Sequence, residues 1–198
     1  MLDNWTNVAV SHHQFGVLDS DTIDIETADS SNGLILIMSH GAMISTGIHT
    51  GYVRVQSLPL PGPPSHPDDG PWEDIIEASV YSATGRLGVD AMEPSPEDDA
   101  YLHLPELATA GPGWYRLRAH ARGRDTPHAA VQHEPLEDYL LLCWPAPQAP
   151  TTLIRTTDHV GHTRRAAATP HPRHHTPTGR SAAPTDEPQP KPTTYPHE

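Results

Sequence analysis

Three groups of side chains in this chain are of types and spacings that do chemistry. Carboxylates come in runs: Asp68, Asp69, Glu73 and Asp74 around Trp72, then Glu93, Glu97, Asp98 and Asp99, then Glu134, Glu137 and Asp138. Clustered carboxylates imitate phosphate charge, so they can compete for a cationic cleft and speed association with a basic protein. Trp72 inside the first run supplies the kind of aromatic that anchors interfaces. The plainer account is that acidic loops keep a domain soluble and that Trp72 opens a strand in the core.

Arg116, Arg118 and Arg122, with His120 between them and Trp114 at the head, form the second group. Such a row could grip phosphate or stacked bases. In an acidic chain, cross-strand Arg–carboxylate pairing is the simpler use, and it is the reading adopted here. Histidines are the third group. His12, His13, His40, His49 and His120 show no HxH, HExxH or His-plus-carboxylate spacing, so no metal site is expected from them. No GxSxG, Walker or GxGxxG pattern occurs, and Gly47-Ile48-His49-Thr50-Gly51 suits a hairpin better than a phosphate cradle. Cys143 lies in an apolar run, where a buried thiol is inert. The residues thus point to a binding protein without cofactor, metal or catalytic residue. The alternative is a small-ligand or metal-dependent enzyme, or an accessory module, on a His-rich scaffold.

Composition divides the chain. Up to Ile154 there are 6 Arg against 21 Asp and Glu, a balance of −15, and from Arg155 onward 6 cations against 4 carboxylates, a balance of +2. The acidic part repels nucleic acid and anionic lipid surfaces, so neither is expected as a direct partner. With one cysteine no internal disulfide forms, which fits a reducing compartment. The first residues lack a cationic and apolar leader, and the longest apolar run, Leu34 to Met38, is far shorter than the roughly 18 residues of a membrane span. A cytoplasmic location is therefore expected.

The elements that would position these groups are strands. Trp114 to Arg122 alternates strictly, with Tyr115, Leu117, Ala119 and Ala121 on one face and the Arg row on the other. Val8 and Val10 fall on even positions but Phe15 and Val17 on odd ones, so a bulge is expected near Ser11-His12-His13. Leu34 to Met38 and Asp138 to Trp144 read as central strands buried on both faces, and Tyr52 to Gln56 as a half-exposed one. Ile75 to Ser82 and Arg86 to Met92 are expected to pair as a hairpin about Ala83-Thr84-Gly85, with a short strand at Tyr101 to Leu104. Leu58 to Pro71 is a Pro- and Gly-rich surface loop, and Pro105 to Ala110 is a turn at most. About nine such strands imply an all-β, two-sheet antiparallel β-sandwich over residues 1–154. Residues 155–198, rich in Pro, Thr and His, are expected to be a disordered tail.

Three stretches carry a family resemblance. Ser11, His12, His13, Gln14 and Phe15, after Val8-Ala9-Val10, resemble the opening strand of the competence protein J family. Leu102 to Pro105 with Gly113 to Leu117, and Glu137 to Leu141, are similar to strands later in that family, over roughly residues 8–144. His12 stands where the family has another aromatic, and the 58–71 loop is longer. The resemblance implies a β-sandwich and an inhibitor or immunity-like factor. Together with the acidity it gives the expected function: occlusion of a basic protein, such as a nuclease or toxin, by acidic loops.

Overall fold

The computed structural model describes residues 5–20, 23–65, 70–91, 104–126, 131–132 and 134–168. Strands dominate: β1 (Thr6–Val10), β2 (Gln14–Asp19), β3 (Ile35–Ile37), β4 (Ala42–Ser45), β5 (Thr50–Pro59), β6 (Asp74–Ser82), β7 (Leu87–Asp90), β8 (Gly113–Arg122), β9 (Val131–Gln132), β10 (Asp138–Pro145) and β11 (Thr152–Thr156). One α-helix, α1 (His159–Ala167), follows. The larger sheet has the order β1-β5-β10-β8-β6-β11, with β9 beside β5, and the smaller the order β3-β4-β2-β7. Their facing sides enclose one core that includes Phe15, Ile35, Ile44, Val53, Ile76, Leu117, Tyr139 and Leu141. The expected two-sheet sandwich forms, although β10 runs parallel to β5 rather than antiparallel.

Alternation in β8 is as read. Tyr115, Leu117, Ala119 and Ala121 are in the core, which leaves Trp114, Arg116, Arg118, His120 and Arg122 on the outer face of the larger sheet. The parity change between β1 and β2 has a different cause from a bulge. Val8 and Val10 enter the core from the larger sheet, Phe15 and Val17 from the smaller one. His12 and His13, at φ 54° and 63°, form a two-residue turn closed by the Ser11–Gln14 bridge that carries the chain between sheets.

A second sheet-to-sheet corner replaces the expected hairpin after β6. β6 pairs with β8 and β11, whereas β7 pairs with β2, so Ala83 to Arg86 joins the two layers. Asp19 fastens this corner by accepting hydrogen bonds from Ser82 Oγ (2.6 Å), Thr84 Oγ1 (2.7 Å) and the Ala83 N–H (2.7 Å). The Leu34 to Met38 run is also placed differently, with β3 at the edge of the smaller sheet. It is apolar on both sides because Leu34 and Ile35 join the main core while Leu36 packs on a second cluster of Leu18, Met38 and Met43. Asp138 to Trp144 does occupy the centre, between β5 and β8. Of the proposed strand at Tyr101 to Leu104, residues 101–103 lie outside the described residues.

Ordered structure continues past the boundary drawn at residue 154. β11 pairs antiparallel with β6, and α1 is capped by Asp158, whose carboxylate accepts the Gly161 N–H at 2.6 Å. Charge rather than apolar area docks the helix, which is why a search for hydrophobic periodicity passes over it. Arg124, fully buried, donates to Asp158 (2.6 Å), Asp74 (2.9 Å) and the Gly33 carbonyl (3.1 Å). Arg165 adds a bond to Asp74 at 3.0 Å and Arg164 one to the Thr46 carbonyl at 2.9 Å. A Cβ on Gly161 would crowd the Asp74, Arg124 and Asp158 side chains, so a larger residue would have to displace that network. The disorder expected beyond Ala168 concerns residues outside the described ones.

Candidate functional site

The outer face of the larger sheet gathers all four tryptophans of the chain. Trp114 and Trp144 project outward because their neighbours Tyr115 and Cys143 point into the core. Trp5 precedes β1 and Trp72 precedes β6, and their rings approach each other at 6.4 Å. Arginines lie over three of the indoles: Arg54 over Trp5 (5.8 Å), Arg122 over Trp72 (5.3 Å) and Arg118 over Trp144 (5.5 Å). Strand register sets the pairing beneath them. Asp138 is opposite both Arg54 and Arg122, and takes bonds from each at 2.6–2.9 Å and 2.6–2.7 Å. Glu77, opposite Arg118 and diagonal to Arg116, takes Arg118 at 2.8 Å and Arg116 at 2.9 Å. The Arg row thus serves the carboxylates, and its upper part is covered: Arg116 is buried while Arg54 and Arg122 keep 44% and 35% of their side-chain surface.

These placements correct part of the acidic-loop reading. Asp74, Glu137 and Asp138 are buried and already engaged, so they offer no charge to a partner. Glu137 accepts the N–H groups of Gly47 (3.0 Å) and Ile48 (2.6 Å) and the Tyr139 hydroxyl. Glu73 is half-buried and accepts the Gly123 N–H at 2.8 Å; Glu134 is exposed. Trp72 is half-buried and belongs to the indole–guanidinium cluster. Asp68, Asp69, Glu93, Glu97, Asp98 and Asp99 lie outside the described residues. Sequence reading missed Trp5 and Arg54, which nothing but cross-strand register brings beside Trp72 and Arg122.

The histidines at the β1–β2 turn do meet: His13 and His12 approach His49 at ring separations of 4.8 and 5.5 Å. Burial, with help from the nearby Arg164 charge, lowers the His13 pKa and favours its neutral form. Among the described residues, however, no three His, Cys, Asp or Glu are arranged to hold a metal ion. Ser11 is buried, Gln14 starts β2, and Phe15 packs edge-on against Tyr139 at 5.2 Å, so the remaining members of that stretch are structural. Cys143 is fully buried, and burial pushes its thiol up to about 12. A thiol reagent at pH 8 is therefore expected to leave the native protein unlabelled and to label it once unfolded; rapid labelling of native protein would show the thiol accessible.

No family model and no curated protein sequence matches the chain. A solved structure titled "Crocagin biosynthetic gene J" is a distant neighbour, 12% identical with a TM-score of 0.42, covering 72% of this chain and 97% of that one. The likeness to the competence protein J family is therefore not upheld, because no such family matches the chain. Its three short stretches are accounted for locally, by a tight turn, a core-facing strand and a buried Glu137. Among the described residues no helix is long and apolar enough to cross a membrane.

Proposed function

We propose that the chain is a non-enzymatic, cytoplasmic protein-binding domain that docks its partner on the outer face of the larger sheet. The observation that supports this is the cluster of Trp5, Trp72, Arg54 and Arg122 around Asp138, since Trp and Arg dominate the energetics of protein interfaces. Asp138 holds both guanidiniums against the indoles, so the surface is organised before a partner arrives. A second reading, occlusion of a basic partner such as a nuclease or toxin by the acidic loops, draws on the net charge of −13 and on exposed Glu134.

Paired captures from the host lysate separate the two. A partner retained by the wild type should bind Trp72→Ala about 30-fold more weakly, the effect of a hot spot of about 2 kcal/mol, while Glu134→Gln is unaffected. Equal retention by Trp72→Ala and the wild type would overturn the docking face, and loss with Glu134→Gln together with steep salt sensitivity would favour the acidic loops.

A further inference from the structure

We infer that α1 is an acid-released strap: protonation of His13 sets a second cation beside Arg164 on the turn between β4 and β5 and loosens the helix. That turn, Thr46 to His49, is where three parts of the fold meet. Arg164 of α1 donates to the Thr46 carbonyl at 2.9 Å, and Nδ1 of His13 lies 3.1 Å from the next carbonyl, that of Gly47. The backbone ties His13 to the same turn, since the Thr46 N–H donates to the His13 carbonyl (2.9 Å) and the His13 N–H to the His49 carbonyl (3.1 Å). Imidazole and guanidinium therefore serve adjacent peptide groups and are held close together while the helix is docked.

A carbonyl only accepts, so Nδ1 of His13 carries the proton of the neutral ring and a second proton must go to Nε2. Protonation thus adds charge without adding a bond to Gly47. Arg164 faces the ring from α1, and His49 faces it from the β4–β5 turn at a ring separation of 4.8 Å. His12, its neighbour in the β1–β2 turn, stands 5.5 Å from His49. Glu137 takes the N–H groups of Gly47 and Ile48, and its charge, like that of Asp158, acts on Arg164, to which Arg124 adds positive charge. Burial and then Arg164 hold the His13 pKa below its ordinary 6.5, in keeping with this arrangement.

The helix is the part able to yield. It buries only Gly161 and is held by the polar bonds of Arg164, Arg165 and the Arg124–Asp158 pair, whereas both turns are anchored between strands of the sheets. Once α1 lifts, Arg164 leaves His13 and the ring regains its ordinary pKa. The docked state thus binds fewer protons than the released one, so docking is at full strength above about pH 6.5 and weakens as the pH falls below it.

Hydrogen exchange of the full-length protein at about pH 7.5 and about pH 5.5, corrected for the intrinsic rate at each, tests this. Protection of the α1 amides of His162 and Ala168 should fall about threefold or more at the lower pH. His13→Asn keeps a neutral donor near the position of Nδ1 and suits the φ of 63° there, so its protection should be the same at both pH values. The His13 ring, identified by its absence from the spectrum of that variant, should titrate below 6.5 in the wild type and move up toward 6.5 in Arg164→Gln. Equal protection at both pH values in the wild type, or a His13 titration indifferent to Arg164→Gln, would overturn the inference. A loss of protection that persists in His13→Asn would overturn it too, by assigning the effect to Asp158, whose carboxyl burial pushes up.

Discussion

Arg124→Ala is expected to lower stability by about 3–5 kcal/mol, because removing one member of a buried ion network strands the others. Arg124, Asp74 and Asp158 are all buried, and the guanidinium is shared between the two carboxylates and the Gly33 and Ser45 carbonyls. Without it, Asp74 keeps Arg165 and the N–H groups of Thr157 and Asp158, while Asp158 keeps only its cap to Gly161 among the bonds described. Burial already pushes the Asp158 carboxyl above its ordinary value of 3.8 against the pull of Arg124, so loss of that cation should raise it further. The strain falls first on α1, whose start Asp158 caps. Denaturant unfolding should give the loss in stability, and hydrogen exchange at Gly161 should show the helix opening ahead of the sheets. A loss below about 1 kcal/mol, or unchanged protection at Gly161, would show that the network does not hold the helix.

That network also marks the limit of what was legible in the sequence. Alternation in β8 told core from surface because an outward Arg and an inward Leu or Ala differ at every step. The same reasoning could not find α1, since the helix buries only Gly161 and is fixed by Arg124, Arg164 and Arg165 acting across the fold. Nor could it separate a surface carboxylate from a buried one. Glu137 and Asp138 follow exposed Glu134 in an acidic run, yet β10 starts there and its register places Asp138 between Arg54 and Arg122. Register is a non-local property, and one run held both the exposed acid and the two most constrained ones. The candidate site was hidden for the same reason: Trp5 and Trp72 are far apart in the chain and share no motif.

Glu137→Ala should cost about 2–4 kcal/mol, the second-largest effect expected, because it leaves several buried donors without an acceptor at once. The carboxylate is held where the chain turns from β4 into β5, and its two oxygens are divided between the N–H groups of Gly47 and Ile48. Gly47 packs directly on the backbone of Arg124, which a Cβ there would run into, so this turn is closely fitted against the rest of the fold. The third donor, the Tyr139 hydroxyl, is fully buried, and burial followed by the Glu137 charge holds its pKa well above the ordinary value. It therefore stays protonated and donating. Tyr139→Phe removes one donor and leaves the carboxylate the N–H groups of Gly47 and Ile48, so a loss of only about 1 kcal/mol is expected. Glu137→Gln, which keeps an acceptor but turns an amide toward donors, should fall between the two. Chemical denaturation of the three variants checks the order, and a Glu137→Ala protein as stable as Tyr139→Phe would mean that water or a shifted loop satisfies Gly47 and Ile48 in its place.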